Sequence, residues 1–150
     1  MMKRWILPLL PLLALLLPLT AAAQLSSQQV AEIASHLGTD RISLHYDCTF
    51  TQDTPLKLSG TLTVQGDCYR ASGNGMEIYC DGTTRWTVDP QSKEVYIETS
   101  GGLEELLPYR DSLTELKLSE VKYQPLSEDL SVFVFDVSAL DSSWVVTDLR

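Results

Sequence analysis

Near the middle of the chain, Cys80-Asp81-Gly82-Thr83-Thr84-Arg85-Trp86 brings a thiol, a carboxylate, a guanidinium and an indole within one short stretch. Such a set admits a reactive thiol, a metal cluster or a plain turn between strands. A thiol nucleophile needs a base within hydrogen-bond reach. Only His36 and His45 could serve. His36 falls late in a predicted helix. His45 falls on the opposite strand parity from Cys48, so a Cys–His dyad within that strand is geometrically poor. Both read as surface histidines. No Gly-x-Ser-x-Gly elbow occurs. Zinc sites gather cysteines or histidines in close pairs of the C-x2-C kind, whereas Cys48, Cys68 and Cys80 stand 20 and 12 residues apart. The 20 acidic residues make chance carboxylate pairs common. Asp81 and Asp89 each sit in a turn, where aspartate accepts backbone N–H groups. The residues therefore point to a protein that is not an enzyme, with no metal and no cofactor.

What the cysteines do depends on the hairpin at Ser72-Gly73-Asn74-Gly75-Met76-Glu77. A two-residue Asn74-Gly75 loop is a strong hairpin signal. It pairs Ala71 with Ile78 and Tyr69 with Cys80, and places Cys80 on the same inner face as Cys48. A three-residue loop over 73–75 would instead set Cys68 opposite Cys80. Three states stay open: a Cys68–Cys80 disulfide, a Cys48–Cys80 disulfide, or three free thiols packed as small hydrophobes.

The elements that position these residues begin after a leader. Lys3 and Arg4 precede an apolar run from Trp5 to Leu19, then Ala21-Ala22-Ala23. That is a secretory signal, with cleavage expected after Ala23. Pro8, Pro11 and Pro18 make the run a poor spanning helix. The mature chain, 24–150, is expected to be one exported, periplasmic domain, large enough for a real core. It carries 9 basic against 20 acidic side chains, a balance that excludes nucleic acid as a partner.

Ser26 and Gln29 form a capping box ahead of Val30, Ile33, Ala34 and Leu37, which share one helical face. Gly38 is the expected stop. From Arg41 the period becomes two. Ile42, Leu44, Tyr46, Cys48 and Phe50 alternate with polar residues, and Leu58, Leu62 and Val64 repeat the pattern. Short strands follow at 67–72, 76–80, 85–89 and 94–99, parted by turn residues. Leu103, Leu106 and Leu107 lie at helical spacing behind two glycines, and Pro108 ends that run. Residues 113–126 read as a strand plus connection, 129–138 as a strand, and 142–150 as a final strand. The architecture expected is α+β: a curved antiparallel sheet, an unclosed β-barrel, covered by the N-terminal helix and the short mid-chain helix. Tyr46, Phe50, Trp86 and Tyr69 take the inward parity of their strands. They read as ordinary core or, more sharply, as the lining of an apolar cavity. Arg85 takes the other parity and is expected toward solvent.

Four stretches also carry a family resemblance: "CTFTQ", "GTLTVQGDCYR", "MEIYCDGTTRWTVDPQSKEVYIE" and "FVFDVSALDSSWVVTDLR". Phe50, Gln52, Gly60, Leu62, Val64, Tyr69, Asp81, Gly82, Trp86, Asp89 and Pro90 match the pattern of the periplasmic outer-membrane lipoprotein carriers, the LolA-like family. The resemblance implies the LolA/LolB-like fold and a chaperone that shields lipoprotein acyl chains during transport to the outer membrane. It implies acylated lipoproteins or other lipid as cargo, with an inner-membrane release complex and an outer-membrane acceptor as partners. The expected lining is Leu44, Tyr46, Phe50, Leu62, Val64, Ile78, Trp86, Val95, Leu106 and Leu107. The alternative is a generic lipid-binding or envelope interaction module on the same fold. Gly66 and Asp67 stand where the family carries arginine and proline, the 99–130 segment is short, and three cysteines are foreign to the pattern.

Overall fold

The computed structural model describes residues 27–51, 54–100 and 113–150. The predicted leader, Ser26, Gln52 and the predicted helix with Leu106 and Leu107 lie outside them. Helix α1 spans Ser27–His36. It stops where Gly38 takes a φ of 81°, a left-handed turn that glycine adopts without a Cβ penalty. The strands are β1 (Asp40–Thr51), β2 (Pro55–Gln65), β3 (Cys68–Gly73), β4 (Met76–Cys80), β5 (Thr84–Asp89), β6 (Glu94–Thr99), β7 (Leu113–Pro125) and β8 (Val145–Asp148). They form one sheet in the order β7-β1-β2-β3-β4-β5-β6-β8. All neighbours are antiparallel except β6 and β8, which run parallel. The sheet is therefore mixed rather than purely antiparallel. Among the described residues β7 and β8 do not meet, so it is not closed into a barrel.

Local chemistry sets the register. Asn74 and Gly75 take φ values of 51° and 78°, as a two-residue type I′ hairpin requires. Tyr69 consequently lies opposite Cys80, and Ala71 opposite Ile78. At the next turn the Asp81 carboxylate accepts from Thr83 N–H at 3.0 Å and Thr84 N–H at 2.8 Å. That loop sets Cys80 opposite Arg85 and Tyr79 opposite Trp86.

This last register changes which face of the sheet is buried. From β7 to β4 the core lies on one face, the first face, with Ile42, Leu44, Tyr46, Cys48 and Phe50 on β1 and Ile78 and Cys80 on β4. α1 lies on it through Ile33, and Gln29 Nε2 donates to the Leu118 carbonyl at 3.3 Å. A second cluster, Tyr79, Trp86, Val88, Val95 and Ile97, occupies the opposite face. Phe135, Val137, Leu140 and Trp144 pack over it from the C-terminal segment. The sheet thus has two half-cores on opposite sides, meeting at β4, where both parities are apolar.

The C-terminal segment differs from expectation. Residues 129–138 do not form a strand. Ser131–Phe133 and Val137–Ala139 are 3-10 turns. Asp129, Asp136 and Asp141 accept from the N–H groups of Ser131, Ser138 and Ser143 at 3.0, 3.0 and 2.8 Å. Each Asp-x-Ser step folds the backbone onto its own carboxylate, which removes it from a ladder.

Candidate functional site

Six of the expected lining residues come together. Leu44, Tyr46, Phe50, Leu62, Val64 and Ile78 are buried in one cluster on the first face. β1 supplies the first three by alternation, and the Leu44–Leu62 and Ile42–Val64 cross-strand pairs carry the row onto β2. Tyr46 is the centre of the row, 0 % exposed. Its hydroxyl donates to the Ser72 carbonyl at 2.6 Å, crossing above its β2 partner Gly60. A Cβ on Gly60 would stand 1.7 Å from Ser72 O and 2.8 Å from Tyr46 Oη. Only glycine admits this close approach, in which the tyrosine ring covers the space that a side chain would fill. Burial, and next the charge of Cys48, push the Tyr46 phenol well above its usual range.

Two expected lining residues lie elsewhere. Trp86 and Val95 belong to the second cluster, on the face opposite Leu44 and Tyr46. The correction follows from register: Trp86 pairs with Tyr79, not with Ile78, and directly paired residues share a side of a sheet. Arg85 is corrected with it. Its side chain is only 11 % exposed, and Nη2 donates to Glu98 Oε2 at 2.9 Å across the β5–β6 pair. Arg85 and Thr87 extend the first face beyond β4, where it turns polar. Thr87 is fully buried, and its Oγ1 has no hydrogen-bond partner. Sequence reasoning missed it, because threonine on a strand reads as solvent-facing.

The three thiols are free and buried. Cys68 and Cys80 sit on adjacent strands but on opposite faces, since Tyr69 rather than Cys68 pairs with Cys80. Cys48 and Cys80 share a face, yet β2 and β3 intervene. Three strand spacings separate them by about 14 Å, beyond disulfide reach. Burial, and next the charge of Asp47, push the Cys48 thiol up to about 12. It is a packing group, not a nucleophile.

On the other side of β1, His45 Nε2 faces Ser59 Oγ at 3.2 Å and Asp47 Oδ2 at 3.9 Å. The same nitrogen meets both, so the carboxylate does not orient the ring from behind as a triad needs. His36 is half-buried, bonded to Asp40 and stacked on Tyr123 at 3.6 Å. Asp81 and Asp89 serve their own turns, Asp89 accepting from Gln91 N–H at 3.1 Å. Among the described residues no cluster of three His, Cys, Asp or Glu could hold a metal ion. No described helix is long and apolar enough to cross a membrane. A cleft of about 400 Å³ at the ends of β1, β2 and β7 is lined by Asp47, Lys57, Glu115 and Lys117 among others, with both charge signs present.

The class these features define is an open, mixed eight-stranded sheet whose first face is apolar from β7 to β4 and whose opposite face carries a second, separately covered half-core. No known protein family matches the chain, and no curated protein does.

Proposed function

We propose that the protein is a periplasmic carrier of the LolA-like kind, which shields the acyl chains of lipoproteins against the first face of its sheet on their way to the outer membrane. One observation carries this reading. Leu44, Tyr46 and Phe50 on β1, Leu62 and Val64 on β2 and Ile78 on β4 share one apolar cluster on one face of an unclosed sheet. Such a cluster holds acyl chains without specific polar contacts, because each shielded CH2 is worth about 0.8 kcal/mol. Lipid needs no catalytic group, and the histidines and turn aspartates are engaged in local structure.

The test is direct. Lipid extracted from the purified mature protein should contain acyl chains, and an environment-sensitive fatty-acyl probe should bind it saturably. If no acyl ligand copurifies and the probe finds no saturable site, the reading fails. Acylated lipoproteins should co-isolate with the protein and be lost once their acyl chains are removed. Co-isolation that survives deacylation would instead favour a protein-interaction module. Val64 is the smallest of these six side chains, so Val64→Ala is the mildest truncation among them. It should weaken probe binding about tenfold, roughly two methylenes' worth, with the circular dichroism spectrum retained. Loss of the fold would identify Val64 as core alone.

A further inference from the structure

Among the described residues a single polar side chain lies in the core. Thr87 is 0 % exposed, and its Oγ1 has no hydrogen-bond partner. Buried hydroxyls are mostly bonded, because an unmade bond forfeits hydration with nothing in return. Valine has nearly the same shape and suits a strand equally well without that cost. The hydroxyl therefore calls for a partner that the described residues do not supply.

Its place in the sheet says what that partner is. Successive cross-strand pairs run Leu44–Leu62, Leu62–Ala71, Ala71–Ile78, Ile78–Thr87 and Thr87–Tyr96. Directly paired residues share a side of the sheet, so these six make one line across the first face. The line is apolar on β1 to β4 and turns polar at Thr87. Four strand spacings separate Leu44 from Thr87, about 19 Å, the reach of a long acyl chain. In the neighbouring line Cys80 pairs with Arg85 and Arg85 with Glu98. The Arg85 guanidinium meets the Glu98 carboxylate at 2.9 Å. Its charge is already balanced and does not call for an anion. Thr87 is also out of reach of water, so a polar group arrives there only at the end of an apolar chain.

We propose that Thr87 Oγ1 donates a hydrogen bond to the carbonyl oxygen of an ester-linked acyl chain, whose alkyl part lies along Leu44, Leu62, Ala71 and Ile78. The ligand class is a neutral acyl ester. A free fatty acid would bury a carboxylate beside a guanidinium that Glu98 already holds. A plain hydrocarbon would leave the hydroxyl unbonded. One neutral hydrogen bond makes the ester preferred by about three- to tenfold. The inference rests on the carrier reading and adds to it a head-group subsite and a preference.

Three pyrene-tailed probes of equal length test it by fluorescence titration: a fatty-acid methyl ester, the free acid and the alkane. The ester should bind about three- to tenfold more tightly than the alkane, and more tightly than the acid. Thr87→Val should erase the preference for ester over alkane and leave the alkane Kd unchanged. Thr87→Ser, which keeps the hydroxyl, should retain the preference. Without ligand, Thr87→Val should raise the urea midpoint, since it removes an unbonded buried hydroxyl. A lowered midpoint would show the hydroxyl bonded within the protein and overturn the proposal. So would an ester preference that survives Thr87→Val, or tighter binding of the acid. Equal, saturable binding of ester and alkane overturns this inference alone and leaves the carrier reading standing. The absence of a saturable site for any probe overturns both. Diacyl phospholipid and a diacylated lipopeptide are two sources of the ester. Displacement of the ester probe by either supports the site and names the source.

Discussion

Gly60 and Tyr46 act as one unit. The tyrosine hydroxyl reaches Ser72 O only because Gly60 leaves the space between them empty. Gly60→Ala should therefore destabilise the protein by about 3 kcal/mol or more, the range of overpacked or strained core sites, read from urea unfolding. Tyr46→Phe keeps the ring and takes this donor from the half-buried Ser72 carbonyl, at a cost of about 1 kcal/mol. The thiols give a second prediction at this scale. Ellman's reagent at pH 8 should find no reactive thiol in the native protein and three after denaturation, since all three are buried. A fast-reacting native thiol would contradict the packing role assigned to them.

Among the elements, the C-terminal segment depends on two side chains far away in sequence. Gln65 donates to Ser127 O at 2.7 Å and accepts from Ser127 N–H at 3.2 Å, a backbone-like pairing made by a side chain. Arg41 donates from Nε to Gln65 at 2.8 Å and from Nη2 to Asp129 O at 2.8 Å. Its guanidinium also lies 5.0 Å from the ring centre of the buried Phe133. Such charge-assisted contacts fix the entry of the segment onto the sheet. Gln65→Ala should free residues 126–133 before the rest of the fold. The expected readout is faster amide exchange at Ser127 and Val134 with β1–β4 amides unchanged. Equal acceleration throughout the sheet would show instead that the segment and the sheet unfold as one unit. The strand expected at 129–138 was misjudged for a reason visible in the sequence. The apolar run on both parities suggests a ladder, but the segment also holds two Asp-x-Ser steps, at 129–131 and 136–138, whose carboxylates compete for the same N–H groups that a ladder would use.

At the scale of the molecule, burial of acids that prefer their protons shapes the response to pH. Cys48 is held up to about 12 against a usual 9.0, and burial pushes the Tyr46 phenol above its usual 10.0. The folded state keeps these protons longer than the unfolded one. Their contribution is full below about pH 9 and is lost as pH rises toward 12. The urea midpoint should fall across that window, and Cys48→Ala should flatten part of the fall. A midpoint independent of pH from 9 to 12 would refute the linkage. The two half-cores also predict unequal effects of truncation. Val88→Ala should loosen the C-terminal segment, while Leu62→Ala should weaken the α1 side, each by roughly 2–5 kcal/mol scaled to its size.

Alternation along β1 and β2 and the glycine that ends α1 were determined by the sequence itself, since each is a local preference of a few neighbouring residues. They were enough to bring Leu44, Tyr46, Phe50, Leu62 and Val64 to one face, while the choice between two hairpin registers at 73–76, and with it the Tyr69–Cys80 pair, was made by the structure. Parity sorts the residues of one strand into two sides but does not say which side of the next strand it joins. That link runs through the turn at Asp81–Thr84, and it alone put Trp86 and Val95 on the far face and drew Arg85 inward to Glu98. Only the tertiary structure decided that the core changes sides at β4, because each half is buried by a different distant segment, α1 on one face and residues 133–144 on the other.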